Sequence, residues 1–293
     1  MRTKSEKILN VVNISVMIFL AVLMLYPFLN QLAIAFNTGG DTARGGITIY
    51  PREFTLSNFA SILSSKTIWQ GTLVTLIHTV FTVAKSVILT FIVAYTLNKK
   101  EMPFRNALTW FFMLPMYIPV SEIARLIQYR YMHLVNSYWV YIIPTFVGFY
   151  NVMLVRSFFS SVSESYEEAA MIDGASEIQT LFSVIIPLCK PILITIALWG
   201  VVASWNSWSV SLYYITDPKL YELQYVLRRL ITEAQAISKL ANETGASGYV
   251  ADRPSSTTLQ AASVIFSALP IMIIFPLFQK YFTQGINLGG VKD

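Results

Sequence analysis

Five carboxylates, Glu164, Glu167, Glu168, Asp173 and Glu177, crowd one short stretch of a chain whose flanking intervals carry almost no charge. Carboxylates this close suggest acid–base or metal chemistry, yet the sequence supplies no partners for either. It has only two histidines, His78 and His133, no His-Glu-x-x-His spacing and a single cysteine, Cys189. A Gly-x-x-x-x-Gly-Lys phosphate loop is also missing, so the chain cannot hydrolyse ATP by that route. No catalytic or metal-binding residue is therefore assigned. The carboxylates suit helix ends instead. Ser165-Tyr166-Glu167-Glu168 has the form of a capping box, and Ser161-Val162-Ser163-Glu164 offers the same pattern one turn earlier. Acidic side chains in a first turn also favour the helix dipole. Gly174 stands where a left-handed residue would end that helix, and Ser176 can open a second short helix through Phe182 toward Pro187. The expected product is a helix–turn–helix outside the bilayer, with Ala169, Ala170 and Met171 at an exposed tip suited to docking another protein.

The elements that must hold this island are apolar. Hydrophobic residues make up 55% of the 293, charged residues only 13%, and mean hydropathy is +0.55, which excludes an ordinary soluble globule. Six charge-poor intervals follow: Lys7 to Asp41, Thr67 to Asn98 interrupted only by Lys85, Asn106 to Ser121, Tyr131 to Val155, Pro191 to Thr216, and Pro254 to Gln279. About 20 apolar residues cross the hydrocarbon of a bilayer as a helix. Unsatisfied backbone is costly in lipid, so six membrane helices are expected, the third kinked at Pro115 and Pro119. The first is too long for a signal peptide and is expected to be retained. Arg2, Lys4 and Lys7 before the first span, and Lys99, Lys100 and Arg105 before the third, mark one side as cytoplasmic. Both termini and the acidic island then lie in the cytoplasm. The net charge of +5 is scattered over span ends, which argues against nucleic acid.

One membrane domain, residues 1–293, is expected, with a cytoplasmic loop at about 159–187 and outside loops at about 37–66 and 217–256. In the first outside loop, Gly39-Gly40, Gly45-Gly46 and Pro51 favour turns, and Phe54 to Phe59 reads as a short helix start capped by Thr55 or Ser57. In the second, Leu220 to Leu240 has the spacing of an amphipathic helix, suited to a delivery protein or to a partner subunit. Polar groups inside spans tend to face a cavity or bundle interior. His78, Lys85, Tyr150, Asn151, Trp205 and Asn206 are therefore candidates for the lining of a polar path, their aromatic faces and amides of the kind that bind sugars, and Lys85 able to attract a carboxylate such as a uronate. The alternatives are that Lys85 snorkels or pairs with a partner, that His78 bonds between helices, and that the aromatic residues anchor the interface.

The run Glu168-Ala169-Ala170…Asp173-Gly174-Ala175…Phe182…Ile185…Pro187-Leu188…Pro191 resembles the EAA loop of permeases from ATP-driven, binding-protein-dependent importers. The Leu-Cys-Lys-Pro end, the Phe54–Phe59 segment, Trp205-Asn206 and the tail from Gln279 to Lys292 are similar to the MalG-like carbohydrate type, in its LplC/YtcP subgroup. Gly290 and Asp293 depart from the usual tail, which puts contact between the tail and the ATPase in question. The resemblance implies an all-α polytopic membrane protein of the MetI-like permease fold with a cytoplasmic coupling helix. It implies ATPase coupling through Glu168, Ala169, Ala170, Met171, Asp173, Gly174, Ala175, Ile185 and Pro187. It also implies a second permease, an ABC ATPase dimer that carries the ATP and Mg, an extracytoplasmic solute-binding protein, and an oligo- or polysaccharide cargo such as alginate. No cofactor is expected on this chain itself. A stand-alone secondary carrier or channel is the alternative. It would be expected to show paired intramembrane charges or internal repeats, and only Lys85 is evident.

Overall fold

The computed structural model describes residues 4–118, 120–144, 147–159, 165–243 and 254–287, and no strand is found among them. In chain order the α-helices are α1 (Lys4–Ala35), α2 (Gly39–Ala43), α3 (Ser57–Leu63), α4 (Lys66–Asn98), α5 (Arg105–Met113), α6 (Glu122–Tyr131), α7 (Phe149–Phe159), α8 (Ser165–Ile172), α9 (Glu177–Thr180), α10 (Ile186–Trp205), α11 (Ser209–Tyr214), α12 (Leu223–Glu243) and α13 (Ser256–Asn287). Among the described residues, four helical stretches are long and apolar enough to cross a membrane: Glu6–Ala35, Lys66–Asn98, Glu177–Trp205 and Ser256–Gln279. The chain forms two compact units, one of Met1–Trp69 with Val226–Pro270, the other of Gln70–Tyr225 with Ile271–Asp293.

The third and fourth apolar intervals are not single helices. Around Pro115, α5 passes into a 3-10 turn, Leu114–Met116, because proline has no N–H to donate. The chain restarts at α6, where the Ser121 hydroxyl accepts from the Ile123 N–H at 3.3 Å. Between α6 and α7 the chain is largely irregular. His133 and Asn136 have positive φ, and Tyr138–Tyr141 is a 3-10 turn. Lipid tolerates such backbone only where protein buries it and satisfies its polar groups. Both conditions are met: Leu134, Val140 and Tyr141 are buried, the Thr82 hydroxyl donates to the Tyr141 carbonyl at 3.3 Å, and the Lys85 ammonium donates to the Ile142 carbonyl.

In the first unit, the loop after α1 is more ordered than its glycines suggest. Gly39 and Gly40 open α2, with the Thr38 hydroxyl accepting from the Asp41 N–H. Gly45 and Gly46 take the positive φ expected of turns. Buried Asn58 donates to the carbonyls of Ala35 and Asn37 at 2.9 Å each, and buried Asn37 donates to Asp41 at 2.9 Å. The N-cap position of α3 is Leu56, not Thr55 or Ser57, and no side chain caps it there; the Thr55 hydroxyl accepts from the Ser57 N–H at 3.1 Å one residue before it. The amphipathic helix expected at Leu220 to Leu240 forms as α12, Leu223–Glu243.

In the second unit, one apolar core joins α4, α7 and the helix that leads into α10. It contains Phe91, Ala94, Leu97, Val152, Val155, Phe159, Ile185 and Cys189. Gly200 brings α10 close to α4, since a Cβ there would lie 3.1 Å from a Val83 methyl.

Candidate functional site

The acidic island folds as a hairpin. α8 carries Glu167 and Glu168 in its first turn, as the dipole favours. Its end is a Schellman motif: the Gly174 N–H donates to the Met171 carbonyl and the Ala175 N–H to the Ala170 carbonyl, both at 3.0 Å, with Gly174 at φ +85. Ser176 then opens α9 with a reciprocal capping box, its hydroxyl accepting from the Gln179 N–H and its own N–H donating to the Gln179 side chain at 2.9 Å. The amide of Gln179 thus makes the second capping box. The side chain of Ser165 and the alternative start at 161–164 lie outside the described residues.

The second arm does not stop at Phe182. A π-helical turn, Leu181–Ile185, carries α9 directly into α10, so helix runs unbroken from Glu177 to Trp205. This wide turn precedes Pro187, which would otherwise leave an i−4 carbonyl unpaired and crowded. Of the residues expected to couple, Glu168, Ala169, Met171, Asp173, Gly174 and Pro187 are exposed, Ala170 and Ala175 are half-buried, and Ile185 is sealed in the core. The most prominent apolar side chains are others: Ile172 is 85% exposed, Ile178 70% and Phe182 64%. A tip built from small residues therefore carries larger apolar knobs beside it.

A second attachment holds the hairpin. The Lys99 ammonium, just past α4, lies 2.6 Å from a Glu167 carboxylate oxygen and 4.9 Å from the centroid of the Tyr95 ring. Burial pulls this ammonium down, but the bonds to Glu167 and Tyr95 outweigh it, leaving the Lys99 pKa above the ordinary lysine value. Beside the contact is a cleft of about 620 Å³, lined by Tyr95, Lys99, Met102, Met171, Ile178 and Leu181 among others.

Farther along α4 the same unit buries a polar cluster. The Glu222 carboxylate is fully buried; one oxygen lies 3.0 Å from His78 Nδ1, and the other accepts from the Ser211 hydroxyl at 3.0 Å and the Ser207 hydroxyl at 3.3 Å. Tyr141 Oη lies 2.8 Å from Ser211 Oγ and donates to the Leu220 carbonyl at 2.7 Å. In front of this cluster opens a cavity of about 290 Å³ whose lining includes His78, Thr82, Glu122, Arg125, Tyr129 and Tyr214.

The six path candidates do not converge. His78 lines the cavity; Lys85 is bonded to the Ile142 carbonyl. Tyr150 is exposed on α7 and stacks on Trp199 at 6.4 Å between centroids, while Asn151 beside it is half-buried. Trp205 is buried, and exposed Asn206 donates to the Val202 carbonyl at 2.9 Å. Glu222 is absent from the candidates because its sequence position placed it in an outside loop. Lys99 and Glu167 were legible only as a topological charge and a helix-start carboxylate, since 68 residues separate them.

Comparison with known proteins gives a consistent result. The family described as "Binding-protein-dependent transport system inner membrane component" matches residues 86–288. Protein LplC of Bacillus subtilis is 30% identical over 99% of this chain and 97% of its own length. The polygalacturonan/rhamnogalacturonan transport system permease protein YtcP of the same organism is 26% identical over 94% of this chain and 95% of its own. A chain from the crystal structure of a bacterial ABC transporter involved in the import of the acidic polysaccharide alginate superposes with a TM-score of 0.82, at 28% identity, covering 96% of this chain and 99% of that one.

Proposed function

This chain belongs to the binding-protein-dependent transport system inner membrane components, and from that premise we propose that it is one of two permeases forming the path of an ATP-driven saccharide importer. Its cargo is an oligo- or polysaccharide, with an acidic one such as alginate favoured by the likeness to the alginate transporter and to YtcP. The hairpin is the observation that carries the reading. It is capped at its turn and at the start of its second arm, continuous with a helix long enough to span the bilayer, and studded with exposed apolar knobs. A stiff lever with an uncovered apolar tip suits docking to a separate ATPase subunit, which binds the ATP and Mg that this chain has no motif to hold.

In this reading residues 1–293 are one permease domain of the bacterial inner membrane with both termini in the cytoplasm. The polypeptide crosses six times, with α5, α6 and the segment ending in α7 supplying two broken crossings. The most apolar window of α1 holds no residue buried by this chain, which supports a lipid or second-permease neighbour. An extracytoplasmic binding protein delivers the cargo.

Reconstituted with its ATPase, second permease and binding protein, the chain is expected to accumulate saccharide in proteoliposomes only when ATP is supplied. Uptake by the purified chain alone without ATP would replace this reading with a stand-alone carrier.

A further inference from the structure

The cavity in front of the His78–Glu222 cluster has a construction that the hairpin does not explain. Its rim is a charged pair, with Arg125 Nη1 2.9 Å from Glu122 Oε1, the two side chains 44% and 47% exposed. The other Glu122 oxygen is fixed from behind by the hydroxyl of buried Tyr214, which donates at 2.6 Å. Tyr214 is itself held by the ring of Tyr129, edge to face at 4.8 Å, and by its carbonyl, which accepts from the Asn136 N–H at 2.8 Å. The deeper wall offers hydroxyls from Thr82, Ser204, Ser207 and Ser209. A half-exposed ion pair contributes little to folding, so stability alone gives little reason to orient this carboxylate from two sides. Polar groups this numerous in an apolar protein mark a place where something polar passes or binds.

Resting on the saccharide-importer reading above, we propose that this cavity is a sugar-binding subsite that reads hydroxyl groups and not carboxylates. The chemistry of the rim points that way. Glu122 only accepts and Arg125 only donates, and adjacent sugar hydroxyls can do both, so one ring edge satisfies the two together. Tyr129 adds a ring face, and the Thr82 and Ser207 hydroxyls, which donate to the Tyr141 carbonyl and to Glu222, keep acceptor positions for sugar hydroxyls. A uronate carboxylate fits poorly, because the guanidinium it would seek already faces Glu122 and the two charges cancel. Acidic cargo would then be held here by its hydroxyls, its carboxylates being recognised elsewhere.

The test uses the complete importer in proteoliposomes and a panel of neutral and uronate oligosaccharides. From it is taken one uronate probe that the wild type imports, together with its methyl ester. Glu122→Gln and Tyr214→Phe are expected to raise KM for the ester about tenfold, the scale of one lost hydrogen bond to a charged group, with kcat changed much less. Glu122→Gln also frees Arg125, so the free acid should lose less than the ester, and Arg125→Gln should reverse that order. Co-purification of each variant with its partners, and retention of Tyr214 packing in the phenylalanine variant, separate these effects from misfolding. Unchanged KM in assembled variants overturns the subsite, and so does an equal loss for acid and ester in Glu122→Gln. If the wild type imports no member of the panel, the saccharide reading itself fails, and the subsite falls with it.

Discussion

Gly174 offers a quantitative test of the hairpin as a lever. Its φ of +85 lies in the left-handed region, and a Cβ added there would meet nothing within 4 Å. Substitution therefore carries a backbone cost without a steric one. That cost is about 1 to 2 kcal/mol for an ordinary L-residue, smaller for Asn or Asp and largest for β-branched side chains. A penalty of this size lowers the ratio of formed to unformed turn roughly 5- to 30-fold. Its effect is local, because Gly174 is exposed and the core around Ile185 is untouched. The expected order of damage is Asn and Asp, then Ala, then Val, with every variant still inserted in the membrane. Transport per ATP hydrolysed and ATPase co-purification should fall together in that order. Normal coupling in Gly174→Val would refute the reasoning outright. Damage from Asn equal to that from Val would refute it differently, because the small size of glycine against a partner would then matter and not its backbone freedom.

Four further outcomes are expected. Lys99→Glu should loosen the hairpin by about 1 kcal/mol, given a partly exposed pair, and Lys99→Glu with Glu167→Lys should restore transport per ATP where either single variant lowers it. Because the Lys99 pKa is raised, its contribution is complete below the ordinary lysine range and lost only as pH rises through the elevated value; hairpin protection in hydrogen exchange should therefore be flat between about pH 6 and pH 9. Deleting one residue from Leu181–Ile185 would restore an ordinary α-helical turn and leave the facing of the hairpin nearly unchanged, so ATPase co-purification should survive, whereas a second single deletion, which turns the hairpin about 100° around the α10 axis, should abolish it while the chain still inserts. His78→Ala removes the neighbour of one oxygen of buried Glu222, whose other oxygen keeps the Ser207 and Ser211 hydroxyls, and should cost about 1 to 3 kcal/mol, read as a lower unfolding temperature in detergent, whereas Asn206→Ala at the exposed end of α10 should change it little.

What was legible in the sequence was local. Gly174 declared its left-handed turn, Ser176 its helix start and Pro115 the break after α5, because each acts on backbone within one turn of itself. The long apolar helices were legible for the same reason, through composition alone. Long-range compensation was not. Tyr131 to Val155 has the composition of a span, and nothing in its letters says that most of it is irregular. The permission for that comes from Thr82 and Lys85, far away on α4, which satisfy the carbonyls of Tyr141 and Ile142. Lys85 reads from the sequence as a uronate contact, a snorkelling charge or a partner of another subunit, and none of those readings points to the Ile142 carbonyl it supports. Glu222 is the reverse case. Its sequence setting is a polar outer loop, and only the arrival of His78, Ser207 and Ser211 makes its complete burial tolerable.

These long-range contacts also tie the two candidate sites together. The helix that carries the hairpin begins at Glu177 and ends at Trp205, and Ala203 and Ser204 in its last turn form one wall of the cavity. At 1.5 Å per residue it is a rod of about 40 Å. The opposite wall belongs to α4, whose His78 and Thr82 face the cavity and whose far end leads to Lys99 on Glu167. Roughly 30 Å of helix separates Lys99 from His78. A displacement applied to the hairpin would reach the cavity by two helices, α10 through continuous backbone and α4 through both the Lys99–Glu167 pair and the apolar core that Phe91, Ala94 and Leu97 share with Ile185 and Cys189. Pushed equally, the walls move together and the cavity keeps its width. Only a difference between the two routes changes the gap between His78 and Ser204. In the proposed reading the ion pair is the reversible part of the α4 route, so breaking it with Lys99→Glu would leave core packing alone to carry motion from the hairpin along α4 toward the proposed subsite.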